Sequence, residues 1–123
     1  MNKILLTSYG VLLSFIYIGS AHSACTGPST PWNDIGSNPV YNYPATTDGS
    51  PCRHVLNSNG TMFETGSVVK KPKNGELIQE NLYTFVYTPK KGFKGKDNYS
   101  YKICGNYNGR KGCITMERDV TVE

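Results

Sequence analysis

Tyr83-Thr84-Phe85-Val86-Tyr87-Thr88-Pro89, then Lys90-Lys91-Gly92-Phe93-Lys94-Gly95-Lys96-Asp97, then Asn98-Tyr99-Ser100-Tyr101-Lys102-Ile103-Cys104, is the stretch that decides the fold. Side chains on a strand point to opposite faces with period two. Tyr83, Phe85 and Tyr87 therefore share one face of a strand, and Tyr99, Tyr101 and Ile103 share one face of the next. Between them Pro89, which has no N–H to donate, ends the first strand, and Gly92 and Gly95 allow backbone angles closed to other residues. Phe93 is expected to drop from this turn into the core, and Asp97 to accept backbone N–H bonds within the turn.

Working outward, candidate strands fall at about 53–57, 61–70, 76–79, 82–88, 98–104 and 113–122, separated by Asn59-Gly60, Pro72 to Gly75, Pro89 to Gly95, and Gly105 to Gly112. No segment carries a capped helical stripe, so the expected class is all-β. In the last strand Ile114, Met116, Val120 and Val122 form the apolar row, and Arg118 interrupts it, which points to a bulge, a strand edge or a snorkelling stem.

The four cysteines, Cys25, Cys52, Cys104 and Cys113, read as two disulfides of an oxidising compartment, with three pairings open. By parity Cys104 and Cys113 both fall on the outward face of two consecutive strands, which makes that cross-strand pairing natural. A Cys25–Cys52 bridge would then tie down both ends of residues 24–51. This stretch holds five of the seven prolines and reads as an extended arm laid along a domain formed by residues 52–123. Closing that loop is worth about 3.6 kcal/mol in the chain-entropy picture.

Residues 1–23 have the layout of an export signal: Lys3, an apolar run from Ile4 to Ile18, then small and polar residues to Ser23. The run is shorter than the roughly 20 residues that span a bilayer, so no transmembrane anchor is expected. Cleavage after Ser23 leaves Ala24 first; lipidation at Cys25 is the alternative, disfavoured by His22. Lys3 is the one charged residue removed, so the charge of +4 becomes +3, with 12 basic and nine acidic side chains. The mature chain is expected to be secreted or periplasmic.

From Tyr87 to Tyr101 the pattern Tyr, Pro89, Gly92-Phe93, Gly95, Asp97, Tyr99, Tyr101 resembles the bacterial immunoglobulin-like repeats of cadherin-like surface proteins. Pro72-Lys73-Asn74-Gly75 looks like the same family's hairpin, and Val120-Thr121-Val122 like its closing strand. The likeness covers about residues 60–123 and departs in Tyr99, where phenylalanine is usual, and in Cys104 and Cys113. It implies an immunoglobulin-like β-sandwich of about six to seven antiparallel strands preceded by an irregular N-terminal arm, and it marks a fold rather than an active site.

Chemistry is sparse. His54 is the only imidazole of the mature chain and sits beside Cys52 at the start of a strand, with no nucleophile in a recognisable setting. The acids are scattered, no Cys-x-x-Cys occurs, and neither a catalytic set, a metal site nor a cofactor is expected. Charge is the clearest functional asymmetry. If strands alternate up and down, Lys70, Lys71, Lys73, Lys90, Lys91, Lys94 and Lys96 gather at one pole, suited to a protein or an anionic glycan or other envelope component. Nucleic acid is not expected, since the cluster lacks arginine and stacking rings. Trp32, Tyr41, Tyr43 and Tyr107 make a candidate aromatic contact. The function this supports is an exported, non-enzymatic binding or adhesion module. The alternatives are a small hydrolase inhibitor that inserts the loop from Gly105 to Gly112, and a structural subunit that exchanges the arm with a neighbour.

Overall fold

The structure, a computed structural model, describes Cys25, residues 35–58 and residues 60–123. The expected export signal and Trp32 lie outside the described residues. A single 3-10 turn, Ile35–Ser37, precedes seven strands: β1 (Val40–Thr47), β2 (Cys52–Val55), β3 (Met62–Lys70), β4 (Gly75–Asn81), β5 (Thr84–Pro89), β6 (Gly95–Tyr107) and β7 (Arg110–Val122). They form an all-β sandwich whose four-stranded sheet has the order β1-β7-β6-β3 and whose three-stranded sheet has the order β2-β5-β4.

Several findings differ from the sequence reading. Residues 40–47 are a regular strand, not irregular arm, and β1 runs parallel to β7, in unbroken register from Val40↔Thr115 to Thr47↔Val122; the sandwich is therefore not wholly antiparallel. Pro44 is tolerated because β1 is an edge strand, where a missing N–H can face away from the sheet. The stretch from Gly105 to Gly112 is not a loop. β6 and β7 continue through it to a two-residue turn at Asn108-Gly109, whose φ values of +51° and +79° suit the mirror-image turn that matches strand twist. Tyr83 leaves the core row: it lies in the β4–β5 turn, 45% exposed, with its N–H bonded to Asn81 Oδ1 at 3.0 Å, and the inward alternation starts only at Phe85.

The core rows otherwise lie where the alternation puts them. Phe85, Tyr87, Tyr99, Tyr101, Ile103, Ile114, Met116 and Val120 are each at most 1% exposed. Rings meet across the two sheets, Phe85 against Tyr101 at 4.4 Å and Tyr87 against Tyr99 at 4.7 Å. Each such side chain stabilises by about 1.5–3 kcal/mol through burial, and a well-placed ring pair adds about 1 kcal/mol. Phe93 packs against this cluster but stays half-buried. Arg118 causes no bulge, for β6 and β7 keep register through Tyr99↔Arg118. Its side chain stays on the inner face, where Nε donates to the Tyr101 hydroxyl at 3.2 Å and the guanidinium lies 5.6 Å from the Tyr43 ring centre.

Disulfides join Cys25 to Cys52 and Cys104 to Cys113, leaving no free cysteine. Cys104 and Cys113 are direct cross-strand partners with Cα atoms 4.0 Å apart. The other bridge holds Cys25 at the β1–β2 corner, where its N–H also bonds Thr46 O at 2.8 Å. Two structural disulfides mark an oxidising, extracytoplasmic compartment. Among the described residues no helix is long and apolar enough to cross a membrane.

Candidate functional site

One end of the sandwich collects the β1–β2 turn (48–51), the β3–β4 turn (71–74) and the β5–β6 connection (90–94). The other collects the β2–β3 and β4–β5 connections and the β6–β7 hairpin. At the first end the side chain of Asp97 is the organising element. It is 7% exposed and does not serve mainly its own turn. Oδ1 accepts the N–H of Lys73 at 3.0 Å and of Asn98 at 2.9 Å, while Oδ2 accepts the N–H of Asn74 at 2.9 Å and the Tyr87 hydroxyl at 2.8 Å. Burial, with Asp97 beside it, pushes the Tyr87 hydroxyl far above the ordinary tyrosine range, so it stays a donor. A further bond from Lys90 N to Asn74 O, 2.9 Å, joins the β5–β6 connection to the β3–β4 turn. Bonds to an ionised acceptor contribute about 1.5–3 kcal/mol each. The two lysine-bearing loops are thus one stitched platform.

Seven lysines stand on it. Lys70 closes β3, Lys71 and Lys73 lie in the β3–β4 turn, Lys90, Lys91 and Lys94 in the β5–β6 connection, and Lys96 is the second residue of β6; all seven are exposed. The even strand count between the two loops puts them at one end, as the up-and-down reading requires. None forms an ion pair among the described residues. The same end also carries the exposed acids Asp48, Glu76 and Glu123, the last through its N–H bond to Thr47 O, so the positive charge is less pure than the sequence suggests.

His54 takes no part in an accessible site. It is 8% exposed between the sheets, with Nε2 2.5 Å from the Tyr99 hydroxyl and its ring 5.6 Å from that of Tyr101. Burial, aided by the charge of Arg118, pushes its pKa down to about 3, and burial raises both tyrosines. The imidazole is a neutral core group. Among the described residues no group of three or more His, Cys, Asp or Glu is placed to hold a metal ion.

Among the described candidate aromatics, Tyr41, Tyr43 and Tyr107 do not assemble into an exposed patch. Tyr41 and Tyr43 stack at 5.9 Å on the inward row of β1, and Tyr107 ends β6; all three pack against the core. Alternation in Tyr41, Tyr43, Ala45 and Thr47 was the signal for this, hidden by the surrounding prolines. At the end opposite the lysines, Val55, Leu56, Phe63 and Tyr83 border an open concavity of about 700 Å³ that no motif foreshadowed. No protein-family model matches the chain, and no curated protein matches it either.

Proposed function

We propose that this chain is an exported, non-enzymatic binding module of the cell envelope, of the immunoglobulin-like kind its Tyr87–Tyr101 motif resembles, which holds an anionic glycan or other envelope component on its lysine end. The observation that carries the reading is the Asp97 stitch. A solvated rim needs no buried carboxylate spanning two loops, whereas a binding surface gains from lysines mounted on a fixed backbone. None of these exposed lysines is held in an ion pair among the described residues, which leaves them open to an incoming anion. The hydrolase-inhibitor reading loses ground, because the Gly105–Gly112 stretch is paired strand and offers only a two-residue tip. Arm exchange loses ground likewise, since β1 is already paired with its own β7.

Calorimetric titration of the oxidised protein with a sulfated polysaccharide and with anionic envelope polymers tests this. Binding should weaken steeply with salt, as expected for exposed charges within a Debye length of about 8–10 Å. The Lys71→Glu/Lys73→Glu/Lys90→Glu/Lys91→Glu variant should lose about tenfold or more in affinity while its circular dichroism stays unchanged. Equal affinity in that variant, or no binding to any polyanion, would sink the proposal.

A further inference from the structure

On the outer face of the four-stranded sheet, register aligns Lys70 of β3, Ser100 of β6, Glu117 of β7 and Asn42 of β1 in one row, with Asn98 and Asp119 paired in the next. A concavity of about 150 Å³ opens there, lined by these six residues. Tyr99 and Arg118 also border it, although their side chains turn to the inner face, where Tyr99 meets His54 and Arg118 meets Tyr101. A sheet face is normally flat. This one dips because Ser100, 6% exposed, is short and its neighbours in both rows are long.

Lys70 is present through a bulge. The β3–β6 register passes from Val68↔Tyr101 directly to Lys70↔Ser100, so Val69 is the extra residue and stands 55% exposed. Unbulged pairing would set Val69 opposite Ser100 and turn Lys70 to the inner face. Bulges commonly re-aim a side chain in this way.

The charges are separated across the dip. Lys70 stands on one side, Glu117 and Asp119 on the other, and the backbones of β3 and β7 are two strand spacings apart, about 9.6 Å. Lys70 makes no ion pair among the described residues, and Glu117 accepts a long 3.5 Å hydrogen bond from Asn42 Nδ2. A simple anion entering here meets two carboxylates, and a simple cation meets a lysine. Only a molecule bearing both signs is attracted by both walls. At half the roughly 300 Å³ of the smallest drug-sized pockets, the space admits something small.

We propose that this pocket binds a small zwitterionic group, a primary ammonium joined by a few atoms to an anionic oxygen group. Glu117 and Asp119 receive the ammonium, Lys70 and the Asn98 amide receive the anion, and Ser100 supplies a hydroxyl at the floor. A phosphoethanolamine substituent and a free amino acid both present this chemistry. The pocket lies on the sheet face and shares only Lys70 with the lysine end, so it does not depend on polyanion binding there.

The test is an NMR titration of the ¹⁵N-labelled, oxidised protein with O-phosphoethanolamine, glycine, ethanolamine and inorganic phosphate in turn. A zwitterion should give saturable shifts at the amides of Asn98, Ser100, Glu117 and Asp119, with an affinity about tenfold or more above that of ethanolamine or phosphate. Preference for O-phosphoethanolamine over glycine assigns the site to a phosphate-bearing substituent, and the reverse preference to an amino acid; both support it. The Glu117→Gln/Asp119→Asn variant, folded by its spectrum, should lose the shifts, whereas Lys90→Glu/Lys91→Glu should keep them. Absence of saturable shifts up to about 20 mM, phosphate or ethanolamine binding as tightly as the zwitterions, or undiminished binding in the carboxamide variant would overturn the assignment.

Discussion

Replacing Asp97 by asparagine keeps the shape of the side chain and changes what it can accept. Asparagine offers one carbonyl oxygen where Asp97 offers two. If its NH₂ took the place of Oδ1 it would face the N–H groups of Lys73 and Asn98, neither of which can turn away. The amide should therefore place its nitrogen at Oδ2, where the Tyr87 hydroxyl can rotate to accept but the Asn74 N–H cannot. One stranded N–H costs about 1–3 kcal/mol, and losing the ionic character of the remaining bonds costs roughly a further 1 kcal/mol, for a total of about 3 kcal/mol. In a domain of this size that lowers Tm by about 12–24 °C. The loss should also be local: amide hydrogen exchange at Asn74, whose N–H loses its acceptor, and to a lesser degree at its neighbour Lys73, should accelerate by more than the roughly 100-fold that the global loss imposes at the centre of the β6–β7 ladder. Thermal unfolding followed by circular dichroism reads the first effect and exchange NMR the second. A destabilisation below about 1 kcal/mol, or exchange at Lys73 and Asn74 that changes no more than elsewhere, would refute the stitched-platform reasoning.

His54 makes stability depend on pH. Its folded pKa of about 3 lies below the unfolded 6.5, so its contribution is complete above pH 6.5 and is lost as pH falls from 6.5 toward 3. The expected slope is about 1.4 kcal/mol per pH unit over that range, measured by urea unfolding at several pH values, and His54→Gln should flatten it. Arg118→Met removes the second cause of that depression, so the His54 ring should titrate at a higher pH by NMR, with a stability loss of about 1 kcal/mol from the lost contact with Tyr43. An unmoved His54 would show that burial alone sets its pKa. Gly112→Ala should destabilise by about 1–3 kcal/mol in denaturant melts, because a Cβ there collides with the Ile35 carbonyl oxygen and displaces a fully buried residue.

Much of the sandwich could be read from alternation, since Phe85, Tyr87, Tyr99, Tyr101, Ile103 and Ile114 repeat with period two on strands covered on one face. β1 escaped because composition outweighed pattern: five prolines in 25–51 suggested an arm, although an edge strand tolerates a proline such as Pro44. The β6–β7 hairpin escaped because its Asn108-Gly109 turn lies inside a longer glycine-rich stretch, where Gly105 and Gly112 face each other as ladder residues instead of turn residues. The gathering of the lysines followed from topology alone. The bond network beneath them did not, because Asp97 reaches Lys73 and Asn74 across 24 and 23 positions, and local reasoning assigns a turn carboxylate to its own turn. The Ser100 pocket depends on a bulge at Val69 that moves Lys70 from one sheet face to the other, and no residue type in Ser67-Val68-Val69-Lys70 announces that slip.

The Cys25–Cys52 bridge has a mechanical meaning as well as a thermodynamic one. Because β1 and β7 run parallel, a pull on the N-terminal end of β1 against the C-terminal end of β7 would load their eight paired positions together, in shear. Tension entering at Cys25 never reaches that clasp while the bridge is closed, since it passes straight to Cys52, at the same end of the molecule as Val122. The load then peels β2 from β5 one rung at a time, starting at Cys52↔Tyr87, and the 27-position segment spanned by the bridge carries none of it. The oxidised molecule is therefore harder to melt and easier to unzip under tension, and reduction of this one bridge converts a peeling joint into a shearing one.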